Sequence, residues 1–178
     1  MTNLDDLKGT WVLDNAHSNV GFTVRHAMVT KVHGRFAEYT AEFTVNDNGI
    51  DVDATMTSHS ITTNNEQRDN HLKSGDFFSA DEFPTVTFKS TSAELGDGTE
   101  GTITGDLTIK GVTKPVTLDV EVLGIAEDPY GNIRLGFEAK TKINRFDYNV
   151  DFNAPVKTGG ALVGEKVDIV IEGSAIKQ

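Results

Sequence analysis

The chain has 178 residues, no cysteine and a formal net charge of −11 at pH 7. This length suits a single domain over residues 1–178, and the lack of cysteine excludes disulfides, thiolate metal sites and a cysteine nucleophile. The acidic balance argues against nucleic-acid binding, because affinity for nucleic acids comes mainly from Lys and Arg side chains that neutralise phosphates.

The N-terminal segment, residues 1–8, carries acidic residues where a secretory signal needs basic charge followed by an apolar core. No apolar run in the sequence approaches the roughly 20 residues that span a bilayer. The sequence therefore predicts a cytoplasmic protein with no export signal and no transmembrane segment.

Strands with one apolar face dominate the chain. Between Val20 and His26, apolar residues alternate with small or polar ones, which is typical of a strand that buries one face. The same alternation recurs to the C-terminus, and turn sequences such as Asn48-Gly49 separate the segments. We predict an all-β antiparallel meander of about eight strands with one more at the C-terminus, near residues 10–14, 18–28, 32–46, 49–60, 84–94, 102–110, 114–126, 132–145 and 161–176.

Two features interrupt the alternation. The apolar parity changes after Phe36, which predicts a bulge or bend at Phe36–Ala37. The longer interruption lies between Thr62 and Pro84, where Thr63 and Glu66 have the spacing of a capping box and predict a short helix. We expect a helical insertion around residues 63–80 that acts as a lid or an end cap.

Long antiparallel strands favour closure into a barrel, because an open sheet would leave unpaired amides and carbonyls at its edges. A barrel of about eight strands is close to the size at which side chains either fill the centre or leave room for one small ligand. Small residues such as Ala54, Gly105, Ala139 and Ala175 interrupt the larger inward-facing ones. This pattern favours a dry apolar cavity, with a filled structural barrel as the alternative.

A gap in acidic residues adds a local basic region. Residues 15–37 contain no carboxylate, although they include Arg25, Lys31 and Arg35. A cationic patch on an acidic protein suits a small anionic group. The alternative interpretation is a chance gap on solvated strand edges.

Four segments carry a family resemblance. They begin at Trp11-Val12-Leu13-Asp14, at Arg68-Asp69-Asn70-His71-Leu72, at Gly105-Asp106-Leu107-Thr108, and at Ile143-Asn144-Arg145-Phe146, the last leading into Gly159-Gly160. In order and spacing they resemble the YceI-like family, lipocalin-like proteins associated with binding polyisoprenoids and related long-chain amphiphiles. The resemblance implies an antiparallel lipocalin-like barrel of about eight strands, with a helical insertion and an elongated apolar channel.

The expected function is to hold a long-chain isoprenoid or acyl amphiphile, such as a polyisoprenoid, an isoprenoid quinone or a fatty-acid derivative. Each methylene moved from water into an apolar channel contributes about 0.8 kcal/mol, so a long tail needs no covalent bond. Related barrels often associate, so a homodimer is a further expectation. The predicted channel residues are Phe22, Val24, Phe36, Phe43, Met56, Phe88, Leu107, Leu118, Val120 and Phe137.

Three polar residues are candidates for the ligand head group. His26 shares the parity of the apolar residues on its strand, which places an imidazole near the end of the channel. Arg68 and His71 lie three residues apart on the predicted helix and therefore on one face. Arg68 also has a structural interpretation, in which it pairs with a carboxylate and anchors the insertion.

Histidines offer an enzymatic alternative. His17, His26 and His71 could hold a metal ion with an open position for water and act on an apolar substrate. His17 also lies between Asp14 and Ser18, but a local turn explains that arrangement more simply than a catalytic triad. We therefore expect a binding protein that is not an enzyme and uses no cofactor, with the metal-dependent enzyme as the alternative.

Overall fold

The computed structural model describes residues 3–157 and 160–178, so Gly159 of the fourth family motif lies outside the described residues. No helix among the described residues is long and apolar enough to cross a membrane. The helices and strands are α1 Leu4–Leu7, β1 Gly9–Leu13, β2 Asn19–His26, β3 Thr30–Phe36, β4 Tyr39–Asn46, β5 Gly49–Thr57, β6 Ile61–Thr62, α2 Glu66–Lys73, β7 Thr85–Leu95, β8 Glu100–Ile109, β9 Val112–Glu127, β10 Ile133–Asn144 and β11 Val163–Lys177.

Eight strands form a closed antiparallel barrel in the order β1-β4-β5-β7-β8-β9-β10-β11. The ring closes because β1 also pairs with β11, from Trp11 opposite Lys177 to Leu13 opposite Ala175. Closure pairs the backbone groups that an open sheet would expose at its edges. The predicted all-β antiparallel barrel is therefore confirmed.

Shorter strands extend the wall at one end of the barrel. β2 pairs with β11 beyond β1, β3 pairs with β2, and β6 pairs with β3. The prediction of one continuous strand over residues 32–46 is wrong, because the chain bends at Ala37 and Glu38 into β3 and β4. There the Ala37 amide donates to the Ser60 carbonyl, and the Glu38 carbonyl accepts from the Thr57 amide. The bend itself lies where the change of parity predicts it.

The helical insertion begins with a different cap from the predicted one. The side chain of Asn65 accepts a hydrogen bond from the Arg68 amide and starts α2 at Glu66. Thr63 does not cap the helix, because its hydroxyl and amide both donate to the Asp69 carboxylate, at 2.6 and 2.7 Å. The insertion is confirmed, whereas the capping box from Thr63 to Glu66 is wrong.

The two ends of the barrel differ. At the end that we call the base lies α1, in which Leu7 is buried and its carbonyl accepts a 2.8 Å hydrogen bond from the Trp11 indole. Lys8 links α1 to the β4–β5 turn through Asp47. At the opposite end, which we call the mouth, lie α2, the β2–β3 turn and the segment that follows β10.

Candidate functional site

An apolar cavity of about 700 Å³ occupies the centre of the barrel. Leu7 lines it at the base and Leu72 of α2 lines it at the mouth, so the cavity runs along the barrel axis. Its volume falls within the roughly 300–1,000 Å³ that is typical of sites for small organic ligands. The barrel therefore encloses a cavity of ligand size, and the alternative of a barrel whose centre is filled by side chains is wrong.

The inward-facing aromatic residues support this conclusion independently. Phe22, Phe43 and Phe137 face the centre of the barrel, yet each is only half-buried. Close-packed protein interiors leave few voids larger than a water molecule, and a packed core would have removed this residual surface. All ten predicted channel residues line the cavity, and the other seven are Val24, Phe36, Met56, Phe88, Leu107, Leu118 and Val120.

Glycines allow two of these rings to lie close to the wall. Phe22 on β2 is directly opposite Gly34 on β3, and a Cβ atom at Gly34 would lie 2.2 Å from the ring. Phe88 on β7 lies against Gly105 on β8, where the corresponding distance is 2.5 Å. Each ring thus occupies the space of a missing side chain on the neighbouring strand, which leaves the centre of the barrel open.

The mouth is the polar and solvent-exposed end of the cavity. Among the described residues, no Asp or Glu side chain lines the cavity, whereas several cationic and neutral polar ones do. Every exposed lining residue lies at the mouth, whereas Leu7, Leu13 and Leu135 close the base. The exposed lining residues are Arg25, His26, Asn65, Gln67, Arg68 and His71.

The predicted head-group residues take different positions at this mouth. His26 is the last residue of β2 and is exposed. His71 forms a 2.8 Å pair with Asp76 through Nε2, and its ring packs edge-on against Phe77 and Phe152. These contacts fix the orientation of the His71 imidazole on the cavity rim.

Arg68 anchors the insertion, but not through a carboxylate as expected. Its Nε donates to the Thr63 hydroxyl at 2.7 Å and its Nη2 donates to the Thr63 carbonyl at 2.8 Å. Within the described residues Arg68 forms no ion pair, because Asp69 is engaged by Thr62 and Thr63. The expected carboxylate partner is therefore wrong, and the guanidinium lies at the rim of the cavity, bound to Thr63.

A second arginine, Arg145, lines the cavity and was not among the predicted site residues. It is buried, with a relative exposure of 5%, and its guanidinium donates only to backbone carbonyls. Burial lowers the pKa of Arg145, and the nearby carboxylates of Glu165 and Asp151 oppose that shift. Arg145 continues the inward parity of Phe137 and Ile143 along β10, and this signal could have identified it.

The three histidines of the enzymatic alternative do not form a common site. His17 lies before β2 and pairs with Asp14 at 2.8 Å, whereas His26 ends the same strand. The seven steps from Asn19 to His26 span about 23 Å at roughly 3.3 Å per residue. Across the described ranges, no group of three or more His, Asp or Glu side chains is arranged to hold a metal ion.

Comparisons with known proteins agree with this architecture. The family model of the YceI-like domain matches residues 11–175. A UPF0312 protein of Staphylococcus aureus (strain N315) is 42% identical over 169 residues, which cover 93% of this chain and 95% of the relative.

Solved structures show the same fold. The Campylobacter jejuni YCEI protein has a TM-score of 0.75 at 32% identity, covering 93% of this chain and 96% of that one. A polyisoprenoid binding domain from Saccharophagus degradans has a TM-score of 0.71 at 12% identity, covering 94% and 98% of the two chains. On the family match and the relatives together, the chain belongs to the YceI-like family.

Proposed function

We propose that the protein binds one long-chain amphiphile without altering it chemically, with the tail in the cavity and the head group at the mouth. The observation that carries this proposal is the polarity of the cavity, which is apolar from the base upwards and polar only at its exposed end. An amphiphile likewise has an apolar tail and a polar group at one end. The ligand classes that fit are a polyisoprenoid, an isoprenoid quinone and a fatty-acid derivative.

The tail would be held by burial. Each methylene that leaves water contributes about 0.8 kcal/mol, and the half-buried Phe22, Phe43 and Phe137 would pack against the tail with their remaining surface. Closure of the base by Leu7, Leu13 and Leu135 leaves the ligand one direction of entry, with its tail first. The depth of the cavity would then favour long tails over short ones.

The head group would meet polar side chains at the rim. His26 offers an imidazole N–H and Arg68 offers a guanidinium that Thr63 holds in place, whereas His71 offers only Nδ1 because its Nε2 is paired with Asp76. The lack of any Asp or Glu among the described lining residues favours a neutral or anionic head group over a cationic one. Phosphate, carboxylate and quinone carbonyl groups all accept hydrogen bonds from these donors.

Family membership supports the same ligand class, since a domain of this fold is described as polyisoprenoid binding. The biological use that we propose is sequestration, transport or storage of the amphiphile. No chemical step is needed for any of these roles, because the protein only has to exchange its ligand with a donor and an acceptor.

Organic extraction of the purified protein followed by mass spectrometry tests the proposal, together with uptake of added polyprenyl phosphate or isoprenoid quinone. We expect about one bound molecule per chain, retained through gel filtration. Val120→Glu places a carboxylate on the cavity wall, which costs several kcal/mol when unpaired, and should abolish retention. The matched control is Leu123→Glu on the outer face of the same strand, where the side chain is 64% exposed.

Two results would contradict the proposal. One is the absence of both a co-purified hydrophobic molecule and any uptake of added amphiphile. The other is equal retention by the Val120→Glu and Leu123→Glu variants, because binding would then not depend on the cavity.

A further inference from the structure

The turn between β2 and β3 exposes two large apolar side chains. Met28 is 55% exposed and Val29 is 79% exposed. Ala27 and Met28 have positive φ angles of 50° and 68°, a conformation that residues other than glycine rarely adopt. These angles are those of a two-residue type I′ hairpin turn, in which the Val29 amide donates to the His26 carbonyl at 3.2 Å. The Met28 side chain lies against Gly160, where an added Cβ atom would be 3.1 Å from its Cγ and Sδ, and it still keeps more than half of its surface exposed.

This turn borders the mouth of the cavity. Ala27 follows His26 and donates a 2.7 Å hydrogen bond to the carbonyl of Leu162, and both His26 and Leu162 line the cavity. Met28 and Val29 themselves are not part of the lining. A surface that contacts this turn would therefore lie beside the opening without occupying it.

Basic side chains flank the apolar turn on the outer face of the hairpin. Arg25 and Lys31 are direct cross-strand partners, and Arg35 lies opposite Gly21 further along the same two strands. Within residues 3–157 and 160–178, these three cations form no ion pair. Their charge is therefore available to a partner.

The basic hairpin stands out from an acidic protein. Residues 15–37 contain these three cations and no carboxylate, whereas the whole chain carries a net charge of −11. On the neighbouring strand, Asp168 lies opposite Thr23, but its carboxylate is 3.4 Å from the Lys142 ammonium. A negatively charged surface would repel most of this molecule and attract the hairpin, which would orient the protein on that surface.

We propose that the β2–β3 hairpin docks the protein on an anionic lipid bilayer, with Met28 and Val29 inserted at the interface and Arg25, Lys31 and Arg35 at the lipid phosphates. Apolar side chains flanked by Lys and Arg are the combination that binds bilayer surfaces. Docking would place the mouth against the lipid. This inference goes beyond the proposed function, because Met28, Val29, Lys31 and Arg35 lie outside the cavity lining and Arg25 lies only at its rim.

Vesicle co-sedimentation of the full chain tests the docking. We expect binding to phosphatidylcholine vesicles that contain about 30% phosphatidylglycerol, weaker binding to pure phosphatidylcholine, and loss of binding as salt rises from about 0.02 M to about 0.5 M. Met28→Ser combined with Val29→Ser should lower the partition coefficient about tenfold or more. Lys31→Gln combined with Arg35→Gln should lower it roughly fivefold for each charge removed.

Matched control variants remove the same kinds of side chain from other parts of the surface. Leu123→Ser combined with Tyr130→Ser removes two exposed apolar side chains away from the hairpin, and Lys89→Gln combined with Lys114→Gln removes two exposed charges from β7 and β9. Both controls should bind vesicles as the parent protein does. Thermal unfolding and amphiphile retention, measured on every variant, show whether the fold and the proposed cavity function survive independently of docking.

The absence of cysteine allows a direct test of insertion. An environment-sensitive fluorophore on Met28→Cys should shift its emission to the blue when anionic vesicles are added, whereas the same label on Tyr130→Cys, in the turn between β9 and β10, should not. No shift at Met28→Cys would overturn the proposal. So would vesicle binding that depends on Lys31 and Arg35 but not on Met28 and Val29, because that pattern describes electrostatic attraction to the lipid surface with no inserted side chain.

Discussion

Phe137 and Gly173 face each other across β10 and β11, and a Cβ atom on Gly173 would lie 2.4 Å from the ring of Phe137. The ring therefore fills the space that a side chain at Gly173 would need. The same relationship holds between Phe22 and Gly34. Aromatic rings that lie over cross-strand glycines cover the wall of the barrel without filling its centre, so these glycines help to keep the cavity open.

Gly173→Ala should displace the ring of Phe137 into the cavity. We expect a lower stoichiometry of amphiphile uptake, together with a loss of about 1–3 kcal/mol in the free energy of unfolding from overpacking. Uptake of a labelled isoprenoid and urea unfolding measure the two effects. Adding Phe137→Leu to Gly173→Ala should restore uptake, because the smaller side chain no longer competes with the new methyl group for space.

Gly136→Ala is the matched control for this experiment. It adds the same methyl group directly before Phe137 on β10, where the atom closest to the new Cβ is 3.7 Å away on Leu123. We expect parental uptake from this variant. Equal uptake by the Gly173→Ala and Gly136→Ala variants would show that the ring of Phe137 does not control the cavity.

Arg145→Lys should destabilise the protein although the charge is kept. The guanidinium of Arg145 donates to the carbonyls of Val150, Phe152, Val163 and Gly164 at 2.7 to 3.0 Å. A lysine ammonium has three donors on a flexible stem and cannot reproduce this planar arrangement. We expect the free energy of unfolding to fall by about 2–4 kcal/mol in urea titrations, because buried carbonyls lose their partners.

The control for Arg145→Lys is Lys142→Gln on the outer face of β10, where the side chain is 61% exposed and pairs with Asp168. Exposed ion pairs contribute about 0–1 kcal/mol, so this variant should unfold almost as the parent protein does. A fully stable Arg145→Lys variant would mean that the backbone carbonyls around Arg145 find other donors.

Arg134 should make stability depend on pH in the acidic range. Its Nη1 lies 2.8 Å from Asp14 and its Nε lies 2.6 Å from Asp128. The hydrogen bond from Arg134 is the main cause that lowers the pKa of Asp14 to about 2, with a smaller contribution from His17, and it also lowers the pKa of Asp128. Since these values lie below the roughly 3.9 of an unfolded chain, both carboxylates stabilise the fold above about pH 4.

This contribution is lost as the pH falls from about 4 through the folded pKa of Asp14 near 2. Arg134→Gln should therefore lower the free energy of unfolding at pH 7 and lower it clearly less at pH 2, where a large fraction of Asp14 is protonated in both proteins. Urea titrations at pH 7, 4 and 2 measure the difference. Lys140→Gln removes an exposed cation from the same strand, and its difference in unfolding free energy from the parent protein should not shrink as the pH falls. If the difference between Arg134→Gln and the parent protein does not shrink either, Arg134 is not the cause of the pH dependence.

The sequence predicts the cavity wall better than it predicts the contacts that arrange it. Alternation places Phe22, Val120 and Phe137 on the inner face because parity is a local property of a strand. The pairing of Phe137 with Gly173 depends on the register between two strands, which local patterns do not encode. The break after Phe36 is visible as a change of parity, but its partners in the 3-10 turn at Ser58–Ser60 are not.

Residues in the loops escape prediction for a related reason. One interpretation of the sequence pairs Arg68 with a carboxylate, whereas Arg68 donates to Thr63, because the path of the chain before α2 brings that residue against the guanidinium. Asp69, next to Arg68 in sequence, is taken by the Thr62 and Thr63 side chains and the Thr63 amide. Short-range competition among polar groups decides such contacts, and its outcome depends on the three-dimensional path of the loop.

Arg68→Met should loosen the insertion at the mouth. The bidentate contact between Arg68 and Thr63 joins α2 to the segment that follows β6, and its loss should speed the exchange of the Thr62 and Thr63 amide hydrogens about tenfold, which corresponds to roughly 1.4 kcal/mol. Release of bound amphiphile should quicken as well, because α2 lines the opening. Hydrogen exchange and a ligand-transfer assay to acceptor vesicles measure these two rates.

Arg68→Lys separates the anchoring role from a purely electrostatic one. Lysine keeps the positive charge but not the planar pair of donors. If Arg68 anchors the insertion, amide exchange and ligand release should therefore quicken in both the lysine and the methionine variants. If Arg68 acts only by attracting an anionic head group, ligand release should quicken in the methionine variant and stay at the parental rate in the lysine variant. Lys73→Met removes a charge from the last residue of the same helix and should leave both rates unchanged. Parental hydrogen exchange in both Arg68 variants would show that Thr63 does not need this partner.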